Sequence, residues 1–456
     1  MILEVLNKQR LFFESGKTKE VSFRLKYLKA LKEEIINSEK DITSALLSDF
    51  KKPAFETYIT EISVVISEID LMIKNISSWT KPKKVFPALM NFPSTEYIFN
   101  DPYGNCLIIA PWNYPFQLAM APLIDAIAGG NTVVLKPSEL TPNTSDLLKT
   151  IISKVFPENY ATVVLGDADV TSKLLDLKWD YIFFTGSVKV GKIVAKAAAP
   201  HLTPITLELG GKNPCIVHKS ANISLSAKRI VWGKFLNAGQ TCIAPDYILI
   251  DQSIKAEFIK ALKTEIISAY TENPKQSPDY PRIVNSKNLE RLVSYLKNEN
   301  IYFGGESHEG DNYLAPTILD EPNLDSEVMQ EEIFGPILPV ISYPSESEIK
   351  PIISKFEKPL ACYVFAQDKN FSDQIMANYQ FGGGVVNDTI IQFTNHRLPF
   401  GGVGESGIGA YHGKHSFYTF THQKAVVKKA NWIDIPFRYA PYGDKIKKIK
   451  KVFKWI

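Results

Sequence analysis

The first eighty residues have the hydrophobic spacing of amphipathic helices. Between lysines and glutamates, apolar side chains recur at steps of three and four residues at Val21, Leu25, Leu28, Leu31 and Ile35. Similar spacing predicts helices over 41–49 and 57–79. The sequence Lys81-Pro82-Lys83-Lys84 interrupts this pattern, and 96–100 is predicted to be extended. A helical region therefore precedes the rest of the chain.

From Cys106 onward, short apolar runs alternate with helical patterns. Buried strands are predicted over 106–110, 132–135, 161–165, 181–185 and 205–208. Helices are predicted between them, over 116–128, 144–155, 170–177 and 190–199. Repeated units of this kind indicate an α/β fold with a doubly wound parallel sheet. Such a sheet binds its ligands at the carboxyl ends of its strands.

Composition narrows the class of protein. With 456 residues, 45% of them hydrophobic, the chain is long enough for two or three domains with sizeable cores. The 52 basic and 49 acidic residues give a net charge of only +3, so no global field points to nucleic acid. The four cysteines include no Cys-x-x-Cys pair, which fits a reducing compartment and argues against structural zinc. Because the first ten residues lack a signal-peptide pattern, we expect a cytoplasmic protein.

Two segments of the sequence are relevant to membrane association. Residues 105–124 carry no charge, but Pro111, Pro115 and Pro122 argue against a membrane span. In the tail, lysines surround one apolar helical face formed by Ile446, Ile449, Phe453 and Ile456. This pattern is typical of an interfacial helix, although a helix packed on its own subunit is an equal alternative. We expect at most weak peripheral membrane contact, because the tail is too short to cross a bilayer.

Two motifs at predicted strand ends suit a dinucleotide. Lys136 and Glu139 follow the second strand, where a carboxylate would accept ribose hydroxyls. After the fourth strand come Phe184-Thr185-Gly186-Ser187 and then Gly191-Lys192. This nearly matches a P-loop, but Ile193 replaces the Ser or Thr that would hold Mg²⁺. A helix N-terminus after such a turn suits a pyrophosphate, so dinucleotide binding is predicted and phosphoryl transfer is not.

Cys242 has the surroundings of a nucleophile. The other cysteines lie in apolar runs typical of buried strands, at Cys106, Cys215 and Cys362. Cys242 follows Asn-Ala-Gly-Gln-Thr, small and polar residues that leave a thiol approachable and supply backbone N–H groups near it. Glu208 lies between two leucines and before two glycines. We therefore predict a partly buried carboxylate there, with the raised pKa of a general base.

The histidines do not indicate a metal site in the sequence. His412, His415 and His422 lie close together in the chain, yet no cysteine or carboxylate cluster accompanies them. Surface or loop positions explain them, and no metal is predicted.

Seven motifs occur in the order known from one enzyme family and span most of the chain. They are Pro111-Trp112-Asn113-Tyr114-Pro115-Phe116, Lys136-Pro137-Ser138-Glu139, Phe184-Thr185-Gly186-Ser187, Leu207-Glu208-Leu209-Gly210-Gly211-Lys212, Gly239-Gln240-Thr241-Cys242, Glu332-Ile333-Phe334-Gly335-Pro336 and Pro399-Phe400-Gly401-Gly402. Together they resemble the NAD(P)-dependent aldehyde dehydrogenases. The shortened N-terminal region, with 242–247 and 409–417, most resembles the class 3 branch, which includes fatty and aromatic aldehyde dehydrogenases.

The resemblance implies a covalent mechanism. Cys242 would attack the aldehyde carbon to form a thiohemiacetal. The Asn113 amide and the backbone N–H of Cys242 would stabilise its oxyanion. After hydride transfer, Glu208 would activate the water that hydrolyses the resulting thioester.

The resemblance also implies that the cofactor is NAD or NADP. The implied cofactor-binding residues are Trp112, Lys136, Glu139, Thr185, Gly186, Ser187, Gly191, Glu332 and Phe334. The glycines and Ser187 would lie at the pyrophosphate, with Lys136 and Glu139 at the adenosine ribose. Glu332 and Phe334 would position the nicotinamide ribose, and Glu332 is a further candidate for acid–base catalysis.

The family fold further implies how the chain is divided. A dinucleotide-binding domain would comprise 1–84 and 101–208, and a catalytic domain 209–398. An oligomerisation bridge would comprise 85–100 with 410–425, pairing 85–100 with residues near 417–421 and joining two subunits in a homodimer. Residues 426–456 would form a C-terminal tail.

The sequence leaves more than one interpretation of the substrate and of the reaction. Apolar side chains at Ile390, Ile391 and Phe393 favour long aliphatic or aromatic aldehydes. A CoA-acylating enzyme of the same fold is one alternative, which Glu208 disfavours because that branch usually lacks this base. A nucleotide-binding protein without turnover is another, disfavoured by the intact Cys242, Glu208 and Asn113.

Overall fold

Helices and mostly parallel strands make up the protein in the computed structural model, which describes residues 2–434 and 436–452. The helices are α1 Ile2–Glu14, α2 Val21–Asn37, α3 Glu39–Phe50, α4 Ala54–Thr57, α5 Ser63–Trp79, α6 Gln117–Gly129, α7 Pro142–Val155, α8 Ala168–Leu175, α9 Val188–Ala198, α10 Ile223–Phe235, α11 Lys255–Tyr270, α12 Ser286–Ser294, α13 Glu327–Gln330, α14 Ile349–Ile353, α15 Lys369–Asn378, α16 Lys414–Thr419 and α17 Lys445–Val452. The strands are β1 Lys83–Val85, β2 Ser94–Pro102, β3 Asn105–Ile109, β4 Thr132–Lys136, β5 Ala161–Val163, β6 Tyr181–Thr185, β7 Ile205–Glu208, β8 Pro214–Val217, β9 Tyr247–Asp251, β10 Ile301–Phe303, β11 Ser307–His308, β12 Tyr313–Leu314, β13 Thr317–Asp320, β14 Ile337–Tyr343, β15 Ala361–Phe365, β16 Gly383–Val386, β17 Gly407–Ile408 and β18 Thr421–Lys429.

The first large sheet is the predicted doubly wound one. Its strand order is β17-β7-β6-β3-β4-β5, and its strands run parallel except for the antiparallel edge strand β17. Each predicted strand appears within two residues of its expected bounds, because each apolar run is buried between helices on both faces. The order reverses between β3 and β6, so the binding crevice is expected beyond Ile109 and Thr185.

The second large sheet carries the rest of the α/β architecture. Its order is β10-β13-β14-β9-β8-β15-β16, with β10 the antiparallel edge. Cys215 and Cys362 lie buried on the neighbouring strands β8 and β15, in agreement with the prediction that they are packing residues. The loop between β7 and β8 connects the two sheets at Glu208. The exact domain boundaries remain a prediction.

A third, small sheet corrects the expected bridge. Strand β2 pairs antiparallel with β1 and, over its whole length, with β18, from Thr421 opposite Pro102 to Lys429 opposite Ser94. The predicted pairing near 417–421 is wrong by several residues, because 414–419 form α16. Phe417 and Phe420 are buried, and Phe420 stacks on Phe183, so this segment packs as core before the chain becomes extended.

A buried ion pair joins the N-terminal helices to α6. Lys52 Nζ lies 2.7 Å from Glu61 Oε1, and both side chains are fully buried. Glu61 Oε2 also accepts hydrogen bonds from the N–H groups of Phe116 and Gln117, at 3.1 and 2.8 Å. The Lys52 ammonium lies 4.0 Å from the centre of the Tyr114 ring. The pair therefore fixes the segment that contains Asn113.

Replacing Lys52 with methionine is expected to lower the free energy of unfolding by about 3–5 kcal/mol, because Glu61 is left as an uncompensated buried acid. Urea unfolding measures the loss. The matched control is Lys32→Met, which breaks the exposed pair with Asp70 and should cost less than about 1 kcal/mol. Equal losses in the two variants would contradict this role for the buried pair.

The tail forms a short helix, α17, in which Ile446 is exposed. Phe453 and Ile456, which the sequence assigned to its apolar face, lie outside the described residues. Within residues 2–434 and 436–452, no helix is both long enough and apolar enough to span a membrane.

Candidate active site

A tight turn after α10 presents Cys242. Helix α10 ends at Phe235, and Asn237, Ala238 and Gly239 then adopt left-handed backbone conformations, with φ of 55°, 51° and 73°. A Cβ on Gly239 would collide with the carbonyl of Gly335, so only glycine fits there. The turn reverses the chain and places Cys242 where the two large sheets meet.

Side-chain amides hold this turn. The Asn113 Nδ2 group donates to the carbonyl of Gln240 at 3.1 Å, and the Asn237 Nδ2 group donates to the carbonyl of Asn113 at 2.8 Å. The Asn213 Nδ2 group donates to the carbonyl of Cys242 at 2.8 Å. The predicted oxyanion donor, Asn113, is thus buried and bonded to Gln240, two residues before Cys242 in the turn.

Cys242 differs from the other three cysteines because its side chain is only half-buried. Desolvation, followed by the carboxyl groups of Glu332 and Glu208, raises the pKa of its thiol to about 12. The sequence predicted that backbone N–H groups of the residues before Cys242 would favour the thiolate. The N–H groups that oppose the rise are instead those of Cys242 and Ile243, and they are outweighed. The thiol therefore needs a base to accept its proton during the reaction.

Two carboxyl groups lie near Cys242, that of Glu208, which is buried, and that of Glu332, which is half-buried. Glu208 ends β7 with a side chain 2% exposed, and desolvation raises its pKa well above the ordinary value, as predicted. Neither of its carboxyl oxygens has a hydrogen-bond partner among the described residues. Desolvation and Asp246 raise the pKa of Glu332 to about 8, and its carboxyl group lies against Gly210, where a Cβ would collide with it. Both acids therefore accept a proton more readily than an ordinary carboxylate, and the pKa of Glu332 suits proton transfer near neutral pH.

Alkylation of Cys242 is expected to speed up with pH across the neutral and alkaline range, by about tenfold per pH unit, because only the thiolate reacts. Above pH 8 or so, where the Glu332 carboxyl is ionised, Glu332→Gln should accelerate the reaction severalfold by removing a negative charge that raises the thiol pKa. Iodoacetamide labelling followed by mass spectrometry measures the rate. The exposed neighbour provides the control Glu331→Gln, and slower labelling in Glu332→Gln than in that control would contradict the assignment.

The crevice between β3 and β6 has the features of a dinucleotide site. Helix α9 begins just after β6, and the Ser187 hydroxyl caps it by accepting from the N–H of Val190 at 3.4 Å. A Cβ on Gly191 would lie 2.7 Å from the Leu209 side chain, so this glycine allows close packing of α9 on the sheet. The Thr185 hydroxyl is buried with no hydrogen-bond partner among the described residues. These groups fit a pyrophosphate at the start of α9.

Further predicted cofactor residues flank the same crevice. Lys136 Nζ pairs with Glu139 Oε2 at 2.7 Å beyond the carboxyl end of β4. On the other side, the Trp112 and Phe334 rings meet edge to face with centres 5.3 Å apart. The residues present therefore fit a nicotinamide dinucleotide that extends from β4 towards Cys242.

Sequence reasoning missed several residues that support the turn. The Tyr114 hydroxyl lies 2.6 Å from the Thr241 Oγ1, and the Tyr363 hydroxyl donates to the carbonyl of Ile243. Gln240 lies inside a motif, but its role could not be predicted because its partner is distant in the chain. Its Nε2 group donates to the carbonyl of Arg282 at 3.0 Å. Asn213 directly follows the motif that ends at Lys212, and this position was the one feature of the sequence that could have indicated its role.

Comparisons with known proteins identify relatives of this chain. A family model described as "Aldehyde dehydrogenase family" matches residues 6–426. A 4,4'-diaponeurosporen-aldehyde dehydrogenase from Staphylococcus aureus is 48% identical, with 97% of each chain covered. A dimeric NADP-preferring aldehyde dehydrogenase from Mus musculus is 43% identical, covering 94% of this chain and 95% of that one. A substrate-bound structure of Staphylococcus aureus AldH has a TM-score of 0.97 at 47% identity, with 99% of each chain covered.

Proposed function

The chain belongs to the aldehyde dehydrogenase family, whose members oxidise aldehydes to carboxylic acids with NAD or NADP, and from that premise we propose the roles of its residues. Cys242 is the nucleophile, Asn113 an oxyanion donor and Glu208 the base for hydrolysis. The observation that carries this proposal is the half-buried Cys242, held on an amide-bonded turn beside two carboxyl groups with raised pKa. The three residues serve successive steps at one carbon atom.

The first step is attack by sulfur. Cys242 gives up its proton, for which Glu332 is suited because its pKa of about 8 is near neutrality. The thiolate adds to the carbonyl carbon, and the negative charge moves to the aldehyde oxygen. The Asn113 amide and the N–H of Cys242 stabilise that oxyanion, and one such donor contributes about 2.7–4 kcal/mol. A bound nicotinamide would supply the hydride acceptor, and loss of hydride from the thiohemiacetal carbon leaves a thioester on Cys242.

The second step is hydrolysis of that thioester. Glu208 accepts a proton from a water molecule while the water oxygen adds to the acyl carbon. The bond between that carbon and the Cys242 sulfur then breaks, which releases the carboxylic acid. Burial and the lack of hydrogen-bond partners among the described residues keep Glu208 basic enough for this transfer. A CoA-acylating enzyme would not need this base.

The cofactor is held by the residues around the crevice. Gly186, Ser187 and Gly191 bind the pyrophosphate at the start of α9, assisted by the buried Thr185 hydroxyl. Lys136 and Glu139 bind the adenosine ribose. Trp112, Glu332 and Phe334 position the nicotinamide end beside Cys242.

Apolar aldehydes, medium to long aliphatic or aromatic, are the proposed substrates. The loop 389–398 contributes Ile391, which is exposed, and Phe393, whose ring packs edge to face on Phe400 at 5.3 Å. The test is the rate of reduced-nicotinamide formation with aldehydes of increasing chain length, with NAD and NADP separately. We expect kcat/KM to rise with chain length, and equal values for short polar and long apolar aldehydes would contradict the proposal.

The small sheet is the proposed homodimer interface. Strand β18 lies at its edge, with Val427 51% exposed, and the Phe86 and Phe92 side chains beside β2 are also exposed. An open edge next to apolar side chains suits pairing with a second copy. Sedimentation equilibrium should give a dimer for the native chain and a monomer for Val427→Asp, with the exposed Leu202→Asp as control. A native monomer would contradict the interface.

Weak peripheral membrane contact through the basic tail is the remaining proposal about partners. Helix α17 is rich in lysine, and anionic vesicles are the appropriate probe. Deleting residues 444–456 should reduce cosedimentation with such vesicles, and unchanged cosedimentation would contradict the proposal.

A further inference from the structure

A second group of buried polar side chains lies apart from Cys242. It consists of Glu68 on α5, Asp125 on α6, His396 and His412, which we term the histidine–carboxylate cluster. Glu68, Asp125 and His412 are 2%, 1% and 4% exposed. Residues this polar are rarely buried together unless something compensates them.

The geometry brings their donor atoms together. His396 Nδ1 lies 3.0 Å from Glu68 Oε2, and the His396 and His412 rings stack with centres 4.7 Å apart. One donor atom from each of Glu68, His396 and His412 lies within 4.8 Å of the other two. Asp125 lies against Glu68 on one side and Ser416 on the other. A cation placed among the donor atoms of Glu68, His396 and His412 would need only small side-chain shifts to reach bonding distance.

Two of these buried atoms are left without protein partners. Among the described residues, no hydrogen bond satisfies Glu68 Oε1 or His412 Nδ1. Buried polar atoms are usually paired, and leaving one unpaired costs about 1–3 kcal/mol. In addition, Glu68 and Asp125 bring two carboxyl groups into contact. A divalent cation would satisfy the free atoms and offset the like charges.

We propose that Glu68, His396 and His412 form a binding site for one divalent transition-metal ion of the zinc type, with Asp125 positioning Glu68 by a direct contact. Two imidazole nitrogens with carboxylate oxygens are the donor set that Zn²⁺ accepts in tetrahedral sites, whereas Mg²⁺ and Ca²⁺ prefer oxygen alone. No cysteine belongs to the set. The ion is structural, because the cluster is separate from the residues assigned to the reaction.

The sequence did not reveal this site because its carboxylates are remote in the chain. His412 was considered with His415 and His422, next to which no acidic cluster stands. The fold instead brings α5 and α6 to His412, while His422 packs near Tyr103 with ring centres 6.4 Å apart. The prediction of no metal is therefore replaced by this proposal.

The metal would anchor the loop that faces the substrate. His396 belongs to the loop 389–398, and Phe393 of the same loop stacks on His412 with centres 4.8 Å apart. Bonds from the ion to α5 and α6 would tie this loop to the helical layer. Metal binding is therefore expected to raise the melting temperature of the native chain.

Isothermal titration of the chelator-treated, full-length protein with Zn²⁺ tests the site. The native chain is expected to bind one ion, and His396→Asn and His412→Gln should each bind at least about tenfold more weakly, since even outer-shell changes cost tenfold or more. His422→Gln, which removes an exposed histidine outside the cluster, should bind like the native chain. Native-like binding by both cluster variants would overturn the proposal, as would no binding by the native chain.

Cobalt spectra distinguish this site from the Cys242 thiol and leave the proposed ligands unchanged. Co²⁺ added to the native chain is expected to give visible d–d bands of a tetrahedral site without a thiolate charge-transfer band in the near ultraviolet. The same spectrum should appear in Cys242→Ala. A thiolate band in the native chain that disappears in Cys242→Ala, leaving no d–d bands, would place the ion at Cys242 and overturn the proposal.

Discussion

Replacing Cys242 with alanine is expected to lower kcat by at least about 10⁴-fold, the scale at which loss of a covalent nucleophile acts. No other thiol can take its place. Cys106, Cys215 and Cys362 are buried in strands, and the turn that ends at Cys242 positions only this sulfur beside the carboxyl groups. Cofactor affinity should change little, because the pyrophosphate site lies at the start of α9.

The measurement is reduced-nicotinamide formation at saturating aldehyde, with cofactor binding followed by fluorescence. Cys362→Ala is the matched control, since it removes a buried thiol from β15 and should retain activity. Turnover by Cys242→Ala within tenfold of the native rate would contradict the covalent mechanism.

Replacing Glu208 with glutamine is expected to separate the two halves of the reaction. Attack by Cys242 and the hydride step precede hydrolysis, and Glu332 stays beside the thiol to accept its proton. A burst of one reduced nicotinamide per active site should therefore persist. Steady-state turnover should fall by about 10²–10⁴-fold, because the water loses its general base.

Stopped-flow absorbance resolves the burst from the steady state. The surface carboxylate of Glu158, which pairs with Lys8, provides the control Glu158→Gln, and its rates should match those of the native chain. If Glu208→Gln lost the burst and the steady state equally, Glu208 would act before the thioester forms, and the assigned role would be wrong.

Much of the fold could be predicted from local patterns in the sequence. The strands of the doubly wound sheet are apolar runs buried on both faces, and such runs are visible without knowledge of their neighbours. Glu208 was predicted to be partly buried with a raised pKa because two leucines and two glycines surround it in the chain; its pKa is raised, and its burial is more complete than predicted. Cys242 was singled out by its small polar neighbours, and it is the half-buried cysteine.

Other features depended on residues brought together from distant parts of the chain. The pKa of Cys242 is dominated by desolvation and by Glu332, ninety residues away, so the sequence alone suggested only the weaker backbone effect. Asn213 holds the carbonyl of Cys242 across the junction of the two sheets. Strand β18 begins later than expected because aromatic packing of Phe417 and Phe420 first closes a helical turn.

The most direct test of the central claim is to find the acyl group on the enzyme. Glu208→Gln is mixed with a long-chain aldehyde and NAD or NADP, quenched with acid after the burst, digested and mapped by mass spectrometry. The peptide containing Cys242 is expected to gain the mass of one acyl group, while Cys106, Cys215 and Cys362 stay unmodified. A full burst with no acylated cysteine, or an acyl group on another residue, would contradict it.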